Sequence, residues 1–178
     1  TNNTAESIRL AEEAVIAIFK YLERAYNNGS DMEAREEMLK ASFKAGFAFT
    51  RAGVGNVHAI AHTMGGIYGT PHGLANAVIL PIVLEDYGEV VYKKLAHLAE
   101  ISGVARTGSD EEKAKAFIAE IYAMNKRMGI PEGLHVEEKD IPQMVEWALA
   151  EANPTYPVPV LYDEARCAAV IRRINERA

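Results

Sequence analysis

The sequence predicts an all-α domain, a helical bundle. Three observations carry that prediction: apolar residues recur at spacings of three and four, hydroxyl-to-carboxylate capping pairs stand at segment starts, and Gly, Asn and Pro fall where helices must stop. The first helix is expected from about Thr4 to Tyr26, with Ile8, Ala11, Val15, Ile18, Phe19 and Leu22 on one apolar stripe. Asn27-Asn28-Gly29 ends it. Ser30, three residues before Glu33, reads as a capping box for a second helix over 31–49. There Met38, Leu39, Ser42, Phe43 and Gly46 mix sizes that permit close helix contact. Residues 52–84 contain no Asp, Glu, Lys or Arg, so this segment is expected to be buried on every side. It divides into helices over 56–65 and 73–85, joined by a turn at Gly69-Thr70-Pro71. The run 77–84 also fits a buried strand; Pro81 and the absence of alternation favour helix. Further helices are expected over 88–102, 109–128 (opened by the Ser109–Glu112 capping pair), 138–151 and 163–176. Gly103, Gly129 and Gly133 serve as stops, and Pro131 and Pro154 lie in the connections. Asn153 to Pro159 reads as an extended loop. No repeat or linker interrupts the chain, which predicts one domain over 1–178.

Composition narrows the function. With 178 residues, 49% of them hydrophobic, the chain is long and apolar enough to bury a core. The net charge of −6, with scattered basic residues, excludes a general nucleic-acid or anionic-membrane surface. The longest uncharged stretch is broken by His, Gly and Pro, so it makes a poor membrane span. The opening Thr-Asn-Asn-Thr lacks the features of a signal peptide. A single cysteine, Cys167, excludes an internal disulfide framework and any CxxC motif, and points to a reducing, cytoplasmic setting. A small-molecule function is the default that remains.

Chemistry concentrates in the uncharged middle. His58 and His62 are four apart and share one helical face, and His72 follows the Gly-Thr-Pro turn. Three imidazoles in so apolar a setting need hydrogen bonds or a metal. Both remain open: each ring satisfied by the protein, or a shared site suited to zinc or ferrous iron. The zincin motif is excluded, because Ala59 stands where its Glu is required. Glu85 and Asp86 lie beyond an intervening apolar helix and are not assigned as ligands.

The stretch Gly53-Val-Gly-Asn-Val-His-Ala-Ile-Ala-His62, with Gly65-Gly66, Thr70-Pro-His-Gly73 and Ala75-Asn-Ala-Val-Ile-Leu-Pro81, closely resembles a signature of the iron-containing (group III) alcohol dehydrogenases. Ala45-Gly-Phe-Ala-Phe49, Asp140-Ile-Pro142 and Asn153-Pro154 extend the resemblance over essentially the whole chain. The resemblance implies the helical C-terminal domain of the dehydroquinate synthase-like fold, in an enzyme that transfers hydride reversibly between an alcohol and NAD or NADP. It implies that His58 and His72 are metal ligands for Fe²⁺ or Zn²⁺. His62 is then a non-ligand histidine near the reacting carbon, and Phe49 an aromatic wall of the substrate pocket. The family's other two ligands, an Asp and a His spaced DxxxH, and its glycine-rich phosphate-binding stretch do not occur in these residues. The chain is therefore expected to be a C-terminal fragment that binds metal poorly and is inactive alone. Its alternatives are a non-catalytic helical oligomerisation module and a stand-alone three-His metal protein.

Lesser candidates receive plain readings. Cys167 is expected to be a buried small hydrophobe, Trp147 core packing, His97 a surface or boundary residue and His135 solvated. The loop holding Asn153 is a candidate pocket wall. An apolar cleft wall around His58 to His72 would favour self-association, so a homo-oligomer is expected.

Overall fold

The computed structural model describes residues 3–178, and among them it is helical with no strand. The α-helices are α1 (Ala5–Asn27), α2 (Met32–Ala52), α3 (Asn56–Tyr68), α4 (His72–Tyr87), α5 (Glu89–Ser102), α6 (Asp110–Arg127), α7 (Ile141–Ala152) and α8 (Glu164–Glu176). A 3-10 turn over Glu138–Asp140 precedes α7. The all-α expectation is met, and 77–84 is helical. No helix among the described residues is long and apolar enough to cross a membrane. The chain divides into two compact units, Thr1–Gly53 with Tyr92–Phe117, and Val54–Val91 with Ile118–Ala178. Because the chain passes repeatedly between them, no composition change or linker marks the division.

In the first unit, α1 and α2 pair. Thr4 caps α1 reciprocally: its hydroxyl accepts from the Ser7 amide at 3.1 Å, while Ser7 Oγ accepts from the Thr4 amide at 2.9 Å. The cap of α2 is Asp31 rather than Ser30. The Asp31 carboxylate accepts from the Ala34 amide at 3.0 Å and is clamped by Arg24, whereas the Ser30 amide turns to Asn28 Oδ1. The buried residues of α1 are Ser7, Ala14 and Tyr21, and those of α2 are Ala34, Ala41 and Ala48. Both series repeat every seven residues. All but Tyr21 are small, which lets the helix backbones approach closely and leaves larger apolar residues on the flanks. The expected stripe is therefore displaced: Ile8 is 48% exposed, and Leu39 and Phe43 are also exposed. Phe19 stacks on Phe117 at 5.0 Å, and the surface His97 pairs with Glu12 at 2.8 Å.

In the second unit, α3 packs on α4 and α7, and α8 packs on both α4 and α7. Ile60, Met64, Ile79, Ile82, Met144, Ile171 and Ile174 are its largest fully buried side chains. Arg166 reaches Asp86, and Arg173 and Arg177 reach Glu85, so these two carboxylates are engaged with α8. Pro81 sits inside α4 and has no amide hydrogen to give the Ala77 carbonyl one turn back. Asn125 Nδ2 donates to that carbonyl instead, at 2.7 Å.

The uncharged segment is not buried all round. Ala59, Ile60, Ala61, Thr63 and Met64 point inward, but His62, Gly65, Gly66, His72 and Gly73 are exposed. Lack of charge marks an apolar face open to solvent as well as a core. Cys167 is buried as expected. Trp147 is not core packing: it is 45% exposed and lies on the face of α7 turned to Gly66, whose α-carbon leaves its ring room.

Candidate metal and active site

Local chemistry brings the histidines together. Gly69 adopts φ +66°, a left-handed conformation that glycine enters without strain, and it ends α3 by donating back to Gly65. The Thr70 amide reaches back to the Met64 carbonyl, so the return loop runs along the last turns of α3. Pro71 then starts α4 with His72 as its first residue. The reversal places the His72 ring 5.3 Å from His58 and 5.2 Å from His62, with His58 and His62 themselves 6.0 Å apart.

The three rings differ in orientation and partners. His58 and His72 are tilted by 56°, whereas His62 and His72 are nearly parallel at 23°. His62 Nδ1 meets Glu151 Oε1 at 2.7 Å, and the same oxygen accepts from the Tyr156 hydroxyl at 2.5 Å. Among the described residues the His58 ring has no hydrogen-bond partner. Burial, then the neighbouring His72 and His62, pushes its pKa below the usual imidazole value, which favours the neutral form that binds metals. Asn76 Nδ2 donates to the His72 carbonyl at 2.9 Å and lies 3.2 Å from its Nε2, and its own Oδ1 is buried without a partner.

The donor set fits a shared cation. With metal–nitrogen bonds of about 2.1 Å and ring centres about 1.1 Å behind each nitrogen, two imidazoles on one cation sit roughly 4.5–5.2 Å apart between centres. The His58–His72 separation of 5.3 Å lies just above that range, so a small inward shift of the rings would bring both nitrogens onto one ion. Among the described residues, no group of three or more His, Cys, Asp or Glu is arranged to hold a metal.

The sequence matches the Fe-containing alcohol dehydrogenase family, C-terminal, over residues 1–174. The chain belongs to that family. It is 40% identical over 167 residues to 1,3-propanediol dehydrogenase from Klebsiella pneumoniae, covering 92% of this chain and 43% of that protein. It is 37% identical over 152 residues to the NAD-dependent methanol dehydrogenase of Bacillus methanolicus, covering 81% of this chain and 40% of that protein. The crystal structure of a 1,3-propanediol oxidoreductase superposes with a TM-score of 0.92 at 38% identity, covering 98% of this chain and 46% of that one. The chain thus spans less than half the length of the relatives it matches, and its helical fold is that of the solved oxidoreductase over that region. Family membership implies a metal and a nicotinamide cofactor in the full enzyme.

The other expected site residues lie as follows. Phe49 is on the last turn of α2 in the first unit and is 50% exposed. Asn153 ends α7; its amide nitrogen lies 3.4 Å from the Tyr162 carbonyl, and its Oδ1 is buried without a partner. Sequence reasoning missed Glu151, Tyr156 and Asn76. Asn76 carried a signal, being four residues after His72 on the same helical face. Glu151 carried none, because only the packing of α7 on α3 brings it to His62 across 89 residues.

Proposed function

We propose that this chain is the metal-carrying helical domain of an NAD(P)-linked alcohol dehydrogenase acting on small alcohols and aldehydes. The observation that carries the proposal is the proximity of His58 and His72, whose ring centres lie 5.3 Å apart where α3 and α4 meet, with His72 open to solvent. These two residues would hold a divalent cation, Fe²⁺ or Zn²⁺, together with ligands that the described residues do not supply. When bound, the cation acts as a Lewis acid on the substrate oxygen. His62 lies beside the pair with its Nδ1 engaged by Glu151, which leaves Nε2 as the atom that would accept the alcohol proton when NAD⁺ or NADP⁺ is bound as hydride acceptor. The uncharged exposed face, with Gly65, Gly66 and Gly73 bare of side chains, gives substrate and nicotinamide close access to the imidazoles.

Family resemblance gives Phe49 a role in the substrate pocket; Asn153 is a candidate pocket residue because it opens a rigid, proline-rich loop. The nicotinamide is held by residues outside this chain, which alone is inactive. A cytoplasmic setting agrees with the single buried thiol, the lack of a nucleic-acid or anionic-membrane partner agrees with the net acidic charge, and the homo-oligomer is proposed from apolar surface around the histidines.

The test is a graft. Replacing the matched segment of the Klebsiella pneumoniae 1,3-propanediol dehydrogenase with this chain gives NAD(P)-linked alcohol oxidation that His58→Ala or His72→Ala abolishes. Activity that persists in both variants contradicts the assignment.

A further inference from the structure

We propose that Glu151 is a positioning residue for His62: its carboxylate fixes the ring as the Nδ1–H tautomer and so leaves Nε2 as the free acceptor. This rests on the reading above, in which His62 Nε2 takes the alcohol proton. Glu151 Oε1 lies 2.7 Å from His62 Nδ1 and 2.5 Å from the Tyr156 hydroxyl. An ionised carboxylate can only accept, so Nδ1 must carry hydrogen and the neutral ring must be bare at Nε2. Tyr156 cannot compete for the role of acceptor. Burial and the adjacent carboxylate push its pKa up to about 12, and it remains a protonated donor. The second donor on the same oxygen also fixes where the carboxylate stands.

Packing supports the alignment. Trp147 and Glu151 are one helical turn apart on α7, as His62 and Gly66 are on α3. A β-carbon on Gly66 would lie 3.5 Å from the Trp147 ring, so ring and glycine seat the two helices one turn away from the hydrogen bond. In the forward reaction the alcohol O–H proton moves to Nε2 as hydride leaves the carbon, and the resulting imidazolium is opposed by the Glu151 charge. The step balances with NAD⁺ or NADP⁺ as the oxidant: the C–H electron pair leaves as hydride to the nicotinamide, the O–H proton goes to Nε2, and the C=O double bond forms. Glu151 touches neither substrate nor cation in this arrangement.

The experiment reads the tautomer directly, by ¹⁵N NMR of the histidine rings in this chain at mildly alkaline pH, where an ordinary imidazole is neutral. Wild type is expected to show His62 with protonated Nδ1 and unprotonated Nε2. In Glu151→Ala, the ring is expected to shift towards the Nε2–H form that a free imidazole prefers. Wild-type His62 in the Nε2–H form overturns the proposal, and that spectrum decides it even if Glu151→Ala does not fold. An unchanged tautomer in folded Glu151→Ala overturns it as well. A parallel Zn²⁺ titration separates this idea from the metal assignment. Loss of binding in Glu151→Ala as large as in His72→Ala makes Glu151 a ligand and refutes its positioning role. Binding indifferent to His58→Ala and His72→Ala refutes the metal pair, whatever the tautomer shows.

Discussion

The Asn125 side chain takes the place of a backbone donor: its Nδ2 lies 2.7 Å from the Ala77 carbonyl, which Pro81 leaves without a helical partner. This bond lets α4 run through a proline and carry His72 at its start. Asn125→Ala strands a carbonyl in a partly buried setting, at a cost of about 1–3 kcal/mol. Adding Pro81→Ala restores the missing amide hydrogen, so the two substitutions are expected to be less damaging together than their sum. Urea melts of the four-member cycle check this; additive effects would show that Asn125 does not compensate for Pro81.

Gly133 has no room for a side chain. A β-carbon there would run into the backbone of Ile174, Arg177 and Ala178 at the end of α8, where the Leu134 amide donates to the Ile174 carbonyl at 3.1 Å. Gly133→Ala is expected to destabilise the chain by about 1–3 kcal/mol, the range for overpacking a filled site. Gly73→Ala, with open space around it inside a helix, should leave the melting temperature level or raise it. Equal losses in both variants would refute the account of Gly133.

Cys167 is buried at 1% exposure, and burial pushes its thiol up to about 12. A raised thiol pKa keeps the thiolate scarce at every pH up to that value, and only the thiolate alkylates quickly. Iodoacetamide is therefore expected to label the denatured chain at pH 8 and to spare the native one. Rapid native labelling, read by intact mass, would contradict the burial.

Much of the fold was legible because helix boundaries are local. The reciprocal Ser109–Glu112 cap and the stops at Gly69 and Gly103 follow from side-chain reach and backbone freedom alone. Burial was less legible. The expected stripe on α1 gave way to Ser7, Ala14 and Tyr21, because the pairing of α1 with α2 selects which face is covered, a property of the pair and not of either helix. At the site, the His58–His62 spacing and the turn before His72 announced the cluster. Glu151 and Tyr156 reach it only through the packing of α7, which no short window of sequence contains. Trp147, expected inside, is partly exposed because the bare Gly66 gives its ring a surface berth.

The most direct test of the central claim is a calorimetric Zn²⁺ titration of the chain and of its His58→Ala, His72→Ala and His62→Ala variants. The account predicts weak binding by wild type, since two imidazoles make an incomplete coordination shell. It predicts a further loss of about tenfold or more in His58→Ala and His72→Ala, and little change in His62→Ala. One tight equivalent lost equally in all three variants, or binding that ignores His58 and His72, would contradict it.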